Sequence, residues 1–251
     1  MQGGKIMQPT LQVLMPMGGL GSRFTDAGYT TPKPLIEVDG VPMFIRALQS
    51  FKSVPSIKHI FVIRKEHDER YNLKNSILAQ LPDSSVHILD HDTQGAVETC
   101  LIAANSIESS LPIAVADCDI YFESSAYVNK IGNSSVDGML LTFTSDDPRY
   151  SYVKTNSDGY ATETAEKIVI SNNAILGGYY FKSGELFLDL ANEFITSGLP
   201  ENLKEYYMSH LFNILINRGG AIEVAPVDVK YIFGTPEELN NYLELSGGEN
   251  H

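Results

Sequence analysis

The sequence has few cationic side chains and no long apolar run, and each shortage excludes a class of protein. Its 251 residues carry 18 lysines and arginines against 31 aspartates and glutamates, a net charge of −13 at pH 7. Because a nucleic-acid backbone is bound by a basic stripe, we expect no nucleic-acid partner. No stretch approaches the roughly 18 apolar residues that span a bilayer, so we expect no membrane segment. A nucleotide substrate stays open if cations and a metal are concentrated at one site.

Cysteine is also scarce. Cys100 and Cys118 have neither the spacing of metal ligands nor a disulfide framework around them. Residues 1–9 have the character of a flexible leader, without the apolar core of a signal peptide. We therefore expect reduced thiols in a cytoplasmic protein.

The first half of the chain alternates strand and helix patterns. This alternation predicts an α/β fold with a doubly wound, mostly parallel sheet and helices on both faces. Ligands of such sheets bind beyond the carboxyl ends of the strands. The predicted strands are 11–15, 58–63, 86–89 and 112–116, and the predicted helices are 42–51, 66–80 and 96–105.

The second half is richer in β patterns. We expect one domain, with a nucleotide-binding half over about residues 10–135 and an acceptor-binding half over about residues 136–245. The apolar face of a helix at 203–217 is most simply a core face. It could also be a dimer contact, so a homo-oligomer stays open. The predicted strands are 138–144, 151–155, 160–165, 175–181 and 221–225, and the other helices are 184–195 and one that begins at Pro236.

A glycine-rich loop follows the first predicted strand. At Gly18, Gly19 and Gly21, backbone N–H groups can curl around phosphate oxygens because no side chain is in the way. Arg23 can donate two hydrogen bonds to phosphate. Lys33 lies between two prolines, which stiffen the backbone that presents it. A fixed cation beside such a loop suits a triphosphate.

Two other nucleotide-binding motifs are excluded. The dinucleotide fingerprint requires a third glycine, but Phe24 occupies that position. The Walker A loop requires Gly-Lys followed by Ser or Thr, and the sequence contains no such tripeptide.

Two aspartates follow the strand predicted at 112–116. Asp117 and Asp119 are two residues apart, so on an extended segment their side chains would face the same way. Hard carboxylate oxygens suit Mg²⁺, which keeps waters and bridges substrate phosphates. We expect Asp119 to bind the ion, whereas Asp117 could equally cap the turn.

These motifs resemble those of the sugar-phosphate and choline-phosphate nucleotidyltransferases. The resemblance rests on GGLGSRF, PKPL and VDGVPM in the N-terminal segment, and it extends over nearly the whole chain. Weaker matches follow in the family's order: Gln94-Gly95-Ala96, ADCDI, Glu166 with Lys167, ILGGYYF and GTPE. The resemblance implies a Rossmann-like α/β fold with a mixed central sheet.

The resemblance also implies a role for each matching residue. The base and phosphates would be bound by Gly18, Gly19, Gly21, Ser22, Gln94 and Gly95. The triphosphate and its developing charge would be held by Arg23 and Lys33, and Mg²⁺ by Asp119. The acceptor would be bound by Glu166, Lys167 and Gly177.

One element of the family pattern is missing. An aspartate is common shortly before the Gly-Thr-Pro element, but Tyr231, Ile232 and Phe233 stand there instead. Asp228, six residues before Gly234, is the candidate that could replace it as a metal ligand.

The reaction we expect is transfer of a nucleoside monophosphate from a triphosphate to a small phosphorylated acceptor, with release of pyrophosphate. The nucleophile is already anionic, so the sequence needs no general base. Two alternatives stay open: a metal-dependent glycosyltransferase of the same topology, and a non-catalytic nucleotide-sensing domain. The sequence does not specify the base or the acceptor.

Overall fold

The computed structural model describes residues 10–132 and 135–247. The leader predicted at residues 1–9 lies outside the described residues. The strands are β1 (Leu11–Met17), β2 (Glu37–Val38), β3 (Val41–Pro42), β4 (Ile57–Arg64), β5 (Ser85–Leu89), β6 (Ile113–Ala116), β7 (Ile120–Glu123), β8 (Gly138–Thr144), β9 (Ser151–Thr155), β10 (Ala161–Glu166), β11 (Asn173–Phe181), β12 (Ile222–Pro226) and β13 (Val229–Ile232).

Helices connect and cover these strands. Among the described residues, no helix is long and apolar enough to cross a bilayer. The α-helices are α1 (Ser22–Asp26), α2 (Met43–Leu48), α3 (Lys65–Tyr71), α4 (Leu73–Gln80), α5 (Ala96–Leu101), α6 (Ser125–Val128), α7 (Gly184–Ser197), α8 (Met208–Asn217) and α9 (Pro236–Gly247). Short 3₁₀ turns occupy Lys33–Leu35, Gln49–Phe51 and Ala104–Ser106.

One large mixed sheet contains strands from both halves of the chain. Its main path is β10-β9-β11-β6-β1-β4-β5, with β8 paired to β11 and β12 paired to β8. The strands β6, β1, β4 and β5 are mutually parallel, whereas β11 is antiparallel to β6. The predicted Rossmann-like, mostly parallel α/β fold is confirmed. The carboxyl ends of β1, β4 and β6 therefore meet at one edge of the sheet.

Hydrophobic cores lie on both faces of the sheet. Successive residues of β1 alternate between them: Leu14 packs with α5, α7 and α8, and Met15 packs with α2 and α4. A third, smaller cluster joins Phe24 of α1 to Phe233 and to Leu239 of α9. This cluster fixes the C-terminal helix beside the segment that follows β1.

Two predicted helices are shorter or divided in the structure. The helix predicted at 66–80 is two helices, because Asn72 adopts a left-handed φ of +52° between α3 and α4. The helix predicted at 96–105 ends at Leu101 and is followed by a 3₁₀ turn.

The helix predicted at 203–217 begins only at Met208. The preceding backbone is held elsewhere: Tyr206 N–H donates to the Gln94 carbonyl at 2.7 Å, and its own carbonyl accepts from Val97 N–H at 3.2 Å. These long-range bonds take the groups that a helix would have used. The face of α8 that includes Leu211 packs into the core of the chain.

Candidate active site

The predicted glycine loop joins the carboxyl end of β1 to α1, at the edge where the parallel strands end. Gly18 leaves no room for a side chain, because a Cβ there would stand 2.9 Å from Leu89 Cδ2 and from Thr99 Cγ2. Gly21 has a left-handed φ of +64°, which other residues rarely adopt. Gly19 faces open space. Packing and backbone conformation thus explain two of the three glycines, and the third leaves the loop surface uncovered.

Lys33 is a fixed cation beside this loop. It begins a 3₁₀ turn after Pro32, and its ammonium donates to Asp119 Oδ2. The two side chains are only 21% and 16% exposed, so solvent screens the ion pair weakly. Burial acts to lower the pKa of Lys33, but the neighbouring negative groups, Asp119 first among them, raise it overall. The lysine therefore stays charged at neutral pH.

Ser22 and Arg23 begin α1, and both are exposed. The Arg23 guanidinium makes no hydrogen bond or ion pair with any residue that the structure describes. Its guanidinium donors are free to meet an anionic ligand, as the sequence predicted for a phosphate contact.

Asp117 and Asp119 follow β6 at a turn, and not on the extended segment that we expected. Both nevertheless line the same cavity. β11 pairs with β6 so that Gly177 lies against Asp117, where an added Cβ would overlap the carboxylate. Gly177 thus makes room for Asp117, and its predicted acceptor contact stays a prediction. Burial, reinforced by the charge of Asp119, raises the pKa of Asp117 well above the usual aspartate range.

Two cavities meet at the glycine loop. The smaller has a volume of about 280 Å³, and Lys33 and Asp119 are in its wall. The larger, about 490 Å³, extends from the loop past Arg64 and Ser22 to Gly95 and Glu205. Four residues line both cavities: Pro16, Gly19, Gly21 and Asp117. The loop and the first aspartate therefore form the boundary between the two spaces.

The wall of the larger cavity at Gly95 is built by close backbone contact. Gly95 has a φ of +137°, and a Cβ there would stand 2.7 Å from Tyr206 N and 2.8 Å from Tyr206 O. Only glycine fits that approach. Gln94 is exposed and lines neither cavity, although its backbone is bound to Tyr206. The structure thus brings Gly95 to the site, but not the Gln94 side chain.

Arg64 is a site residue that the sequence analysis missed. It ends β4, and its side chain is only 10% exposed. Its Nη1 donates to the Gly18 carbonyl at 2.9 Å and its Nη2 to Asp92 Oδ1 at 2.8 Å. The signal was an arginine directly after a run of apolar strand residues, a place where a charge needs partners. Arg64 holds the first glycine of the loop in place.

Glu166 and Lys167 lie at the end of β10. Glu166 accepts from Ser151 Oγ and, at 3.0 Å, from Ser209 Oγ. Lys167 has a left-handed φ of +57°, and its ammonium donates to Tyr207 Oη at 3.2 Å. The lysine ammonium is also 3.9 Å from Glu166 Oε1. The structure thus brings the two predicted acceptor residues together, with the carboxylate mostly buried and the ammonium half exposed.

Asp228 does not meet Asp119, in contrast to the sequence expectation. β13 is antiparallel to β7, so Asp228 lies beyond Glu123 at one end of β7, and Phe233 N–H reaches the Asp119 carbonyl at the other. A strand of this length separates its ends by about 13 Å. Asp228 Oδ2 accepts from Ser125 N–H at 2.8 Å, so this acid caps α6.

A glycine loop, a partly buried lysine and a strand-end acid pair at the edge of a mixed α/β sheet are the arrangement of a nucleotide-binding transferase. The chain belongs to the MobA-like NTP transferase domain family, whose model matches residues 13–164.

Three individual proteins are similar to this chain, each over a different share of its length. A nucleoside-diphosphate-sugar pyrophosphorylase from Vibrio cholerae RC9 shares 25% identity at a TM-score of 0.78, with 92% of this chain and 99% of that chain covered. An inositol-1-phosphate CTP transferase from T. maritima has 14% identity and a TM-score of 0.76, with 96% and 97% covered, so it shows the fold alone. A 2-C-methyl-D-erythritol 4-phosphate cytidylyltransferase from Acidobacterium capsulatum is 36% identical over 61 residues, 23% of this chain and 26% of that relative. That match spans about a quarter of the relative's length.

Proposed function

We propose that this protein transfers a nucleoside monophosphate from a nucleoside triphosphate to a sugar 1-phosphate or a similar small phosphorylated acceptor, and releases pyrophosphate. The observation that carries the proposal is Lys33. Its ammonium is fixed by Asp119 in a cavity that the glycine loop also lines. Family membership supports nucleotide chemistry at this place.

The proposed step is an in-line displacement. An oxygen of the acceptor phosphate attacks the α-phosphorus and forms the new P–O bond, while the bond from that phosphorus to the α,β-bridging oxygen breaks. Its electron pair leaves with pyrophosphate. Lys33 and Arg23 would neutralise charge that moves onto the leaving group. The chain need supply little beyond positioning and charge, because the attacking oxygen is already anionic.

Magnesium is the metal that we propose for this site. Asp119, with Asp117 beside it, offers the hard oxygen donors that Mg²⁺ prefers, and the ion takes its other ligands from water and substrate phosphates. It does not need a group of three protein ligands, and the described residues contain none. When bound, the ion would act as a Lewis acid on phosphate oxygens.

The larger cavity is the place that we propose for the nucleoside. Gly95 and Ser22 line it, and the shared boundary at the glycine loop would leave the phosphates near Lys33. Glu166 would accept hydrogen bonds from acceptor hydroxyls, and Lys167 would bind the acceptor phosphate. A cytoplasmic location stays a prediction.

A metal-dependent glycosyltransferase and a nucleotide-sensing domain are the alternatives to be tested. A glycosyltransferase has no need of a fixed lysine in a triphosphate loop, and a sensing domain would bind nucleotide without turnover.

The experiment is a screen for pyrophosphate release. CTP, UTP, dTTP and GTP are each combined with several sugar 1-phosphates and with phosphocholine, in the presence of Mg²⁺. We expect one pair of substrates to give pyrophosphate only when both are present. Nucleotide binding without pyrophosphate from any pair would favour the sensing domain.

A further inference from the structure

The segment after β13 brings an unassigned carboxylate to the Asp119 side of the site. A Cβ on Gly234 would stand 3.1 Å from Glu238 Oε2 and 3.4 Å from Asp119 Oδ2. Both distances start from the same point, so the two oxygens are at most about 6.5 Å apart (3.1 Å plus 3.4 Å). Glycine at position 234 leaves the space between these oxygens free of a side chain.

The first turn of α9 holds Glu238 in this position. Thr235 Oγ1 accepts from Glu238 N–H at 3.1 Å and so caps the helix. Phe233 N–H donates to the Asp119 carbonyl at 2.7 Å, which ties the start of this segment to the acid pair. Leu239, the next residue of the helix, is buried in the small core. The placement of Glu238 is therefore built by the fold.

The two oxygens of Glu238 have different surroundings. Oε1 lies 3.4 Å from Arg149 Nη1. Oε2, the oxygen that faces Gly234, has no hydrogen-bond partner among the residues that the structure describes. The glutamate side chain is 23% exposed. Arg149 thus lies beside Oε1 of Glu238, and Lys33 donates to Asp119, whereas Oε2 of Glu238 is the carboxylate oxygen left available to a cation.

We propose that Glu238 supplies the second carboxylate toward the Mg²⁺ of this site, in the place of the acid that is missing from residues 231–233. The inference rests on the proposed function, because that function calls for the ion. The proposal thus places the second metal ligand in α9, after Gly234 in the sequence, whereas Asp228 precedes Gly234.

The test measures metal binding directly. Mn²⁺ is titrated into the full chain, and the free ion is followed by electron paramagnetic resonance. We expect Glu238→Gln to raise the Kd for Mn²⁺ at least about ten-fold, because a charged hard ligand is lost. Glu237→Gln is the matched control. Glu237, the acid next to Glu238 in the sequence, is exposed, and we expect the Kd of its variant for Mn²⁺ to equal that of the parent. Thermal unfolding checks that each variant is folded.

Arg149→Gln separates ligation from a purely structural role. If Glu238 served only as the ion-pair partner of Arg149, the two variants would weaken Mn²⁺ binding equally, and the proposal would be overturned. We expect Arg149→Gln to retain Mn²⁺ affinity, and Glu238→Asp to recover part of it.

Further outcomes distinguish this inference from the proposed function. If Asp119→Asn loses Mn²⁺ and Glu238→Gln binds it like the parent, the role of Glu238 is wrong, whereas the proposed metal site at Asp119 survives. If the parent binds no Mn²⁺, both the proposed metal site and the role of Glu238 are wrong. Pyrophosphate release by the parent then decides separately whether the proposed transfer stands.

Discussion

Lys33 has lost its conformational freedom before any substrate arrives. Prolines flank it on both sides, and Asp119 accepts from its ammonium. A lysine on a mobile loop would lose side-chain entropy of up to about 2 kcal/mol on being fixed by a ligand. In this protein the side chain of Lys33 is already fixed by the fold, so that entropy is lost on folding and not on ligand binding. We therefore expect the ammonium to act chiefly on charge that develops during the reaction.

Lys33→Ala should lower turnover by about 10²–10³-fold while the fold is retained, because one fixed donor to developing charge is lost. Turnover is measured as pyrophosphate release at saturating substrates. Lys52→Ala is the control, since Lys52 is exposed and pairs with Glu123 away from both cavities of the site. A Lys33→Ala variant as active as Lys52→Ala would remove the lysine from the proposed role.

The sequence could predict the residues that act within one short segment. Lys33 and the glycines belong to a local motif, and strand-end acids follow from the fold class. The contact between Gly177 and Asp117 depends on the register of β11 against β6, which lies more than fifty residues away in the chain. The prediction that Asp228 is a metal ligand failed for the same reason. The pairing of β13 with β7 places Asp228 at the end of β7 away from Asp119, and the local sequence does not specify that pairing.

At the scale of elements, local sequence patterns predicted the strands more accurately than the connections between them. The apolar runs became β1, β4 and β6, because strands buried on both faces of the sheet require such runs. Residues 203–207 have a helical pattern, yet the backbone of Tyr206 bonds to Gln94 and to Val97 in the first turn of α5. A long-range partner of this kind competes with the helix and leaves no mark in the local pattern. The link also joins the proposed nucleotide side of the site to the segment that carries Tyr207.

Gly95→Ala should weaken nucleotide binding by at least about ten-fold, because the new methyl group would strike the Tyr206 backbone and displace the cavity wall. Affinity for the nucleoside triphosphate is measured by isothermal titration calorimetry. Gly198→Ala is matched to it: this glycine also has a positive φ, +80°, but faces open space. We expect Gly198→Ala to lose some stability and keep its affinity. Equal affinities in both variants would show that the Tyr206 contact does not shape the site.

At the scale of the molecule, charge poses the main problem for a triphosphate ligand. The chain has a net charge of −13, and carboxylates lie beside the cavity of Lys33. Long-range attraction cannot bring an anion to such a protein, so local cations must outweigh the field. Lys33, Arg23 and a divalent ion are the groups that the proposed site has for this purpose.

Activity should therefore vanish when a chelator removes divalent ions and return with Mg²⁺ or Mn²⁺. Asp119→Asn should raise the Mg²⁺ concentration for half-maximal activity far more than Asp117→Asn does. Asp228→Asn should leave the metal requirement unchanged, because Asp228 caps α6. The reverse ranking of Asp119 and Asp117 would assign the ion to the other carboxylate.

The fate of a labelled phosphate tests the central claim most directly. The protein is given a nucleoside triphosphate labelled at the α- or the γ-phosphorus, together with the acceptor found in the screen and Mg²⁺. We predict that the α-label appears in a new diphosphate-linked product and that the γ-label appears in pyrophosphate, in equal amounts. Transfer of the γ-label to the acceptor would contradict nucleotidyl transfer. The absence of any labelled product when both substrates are present would contradict it too.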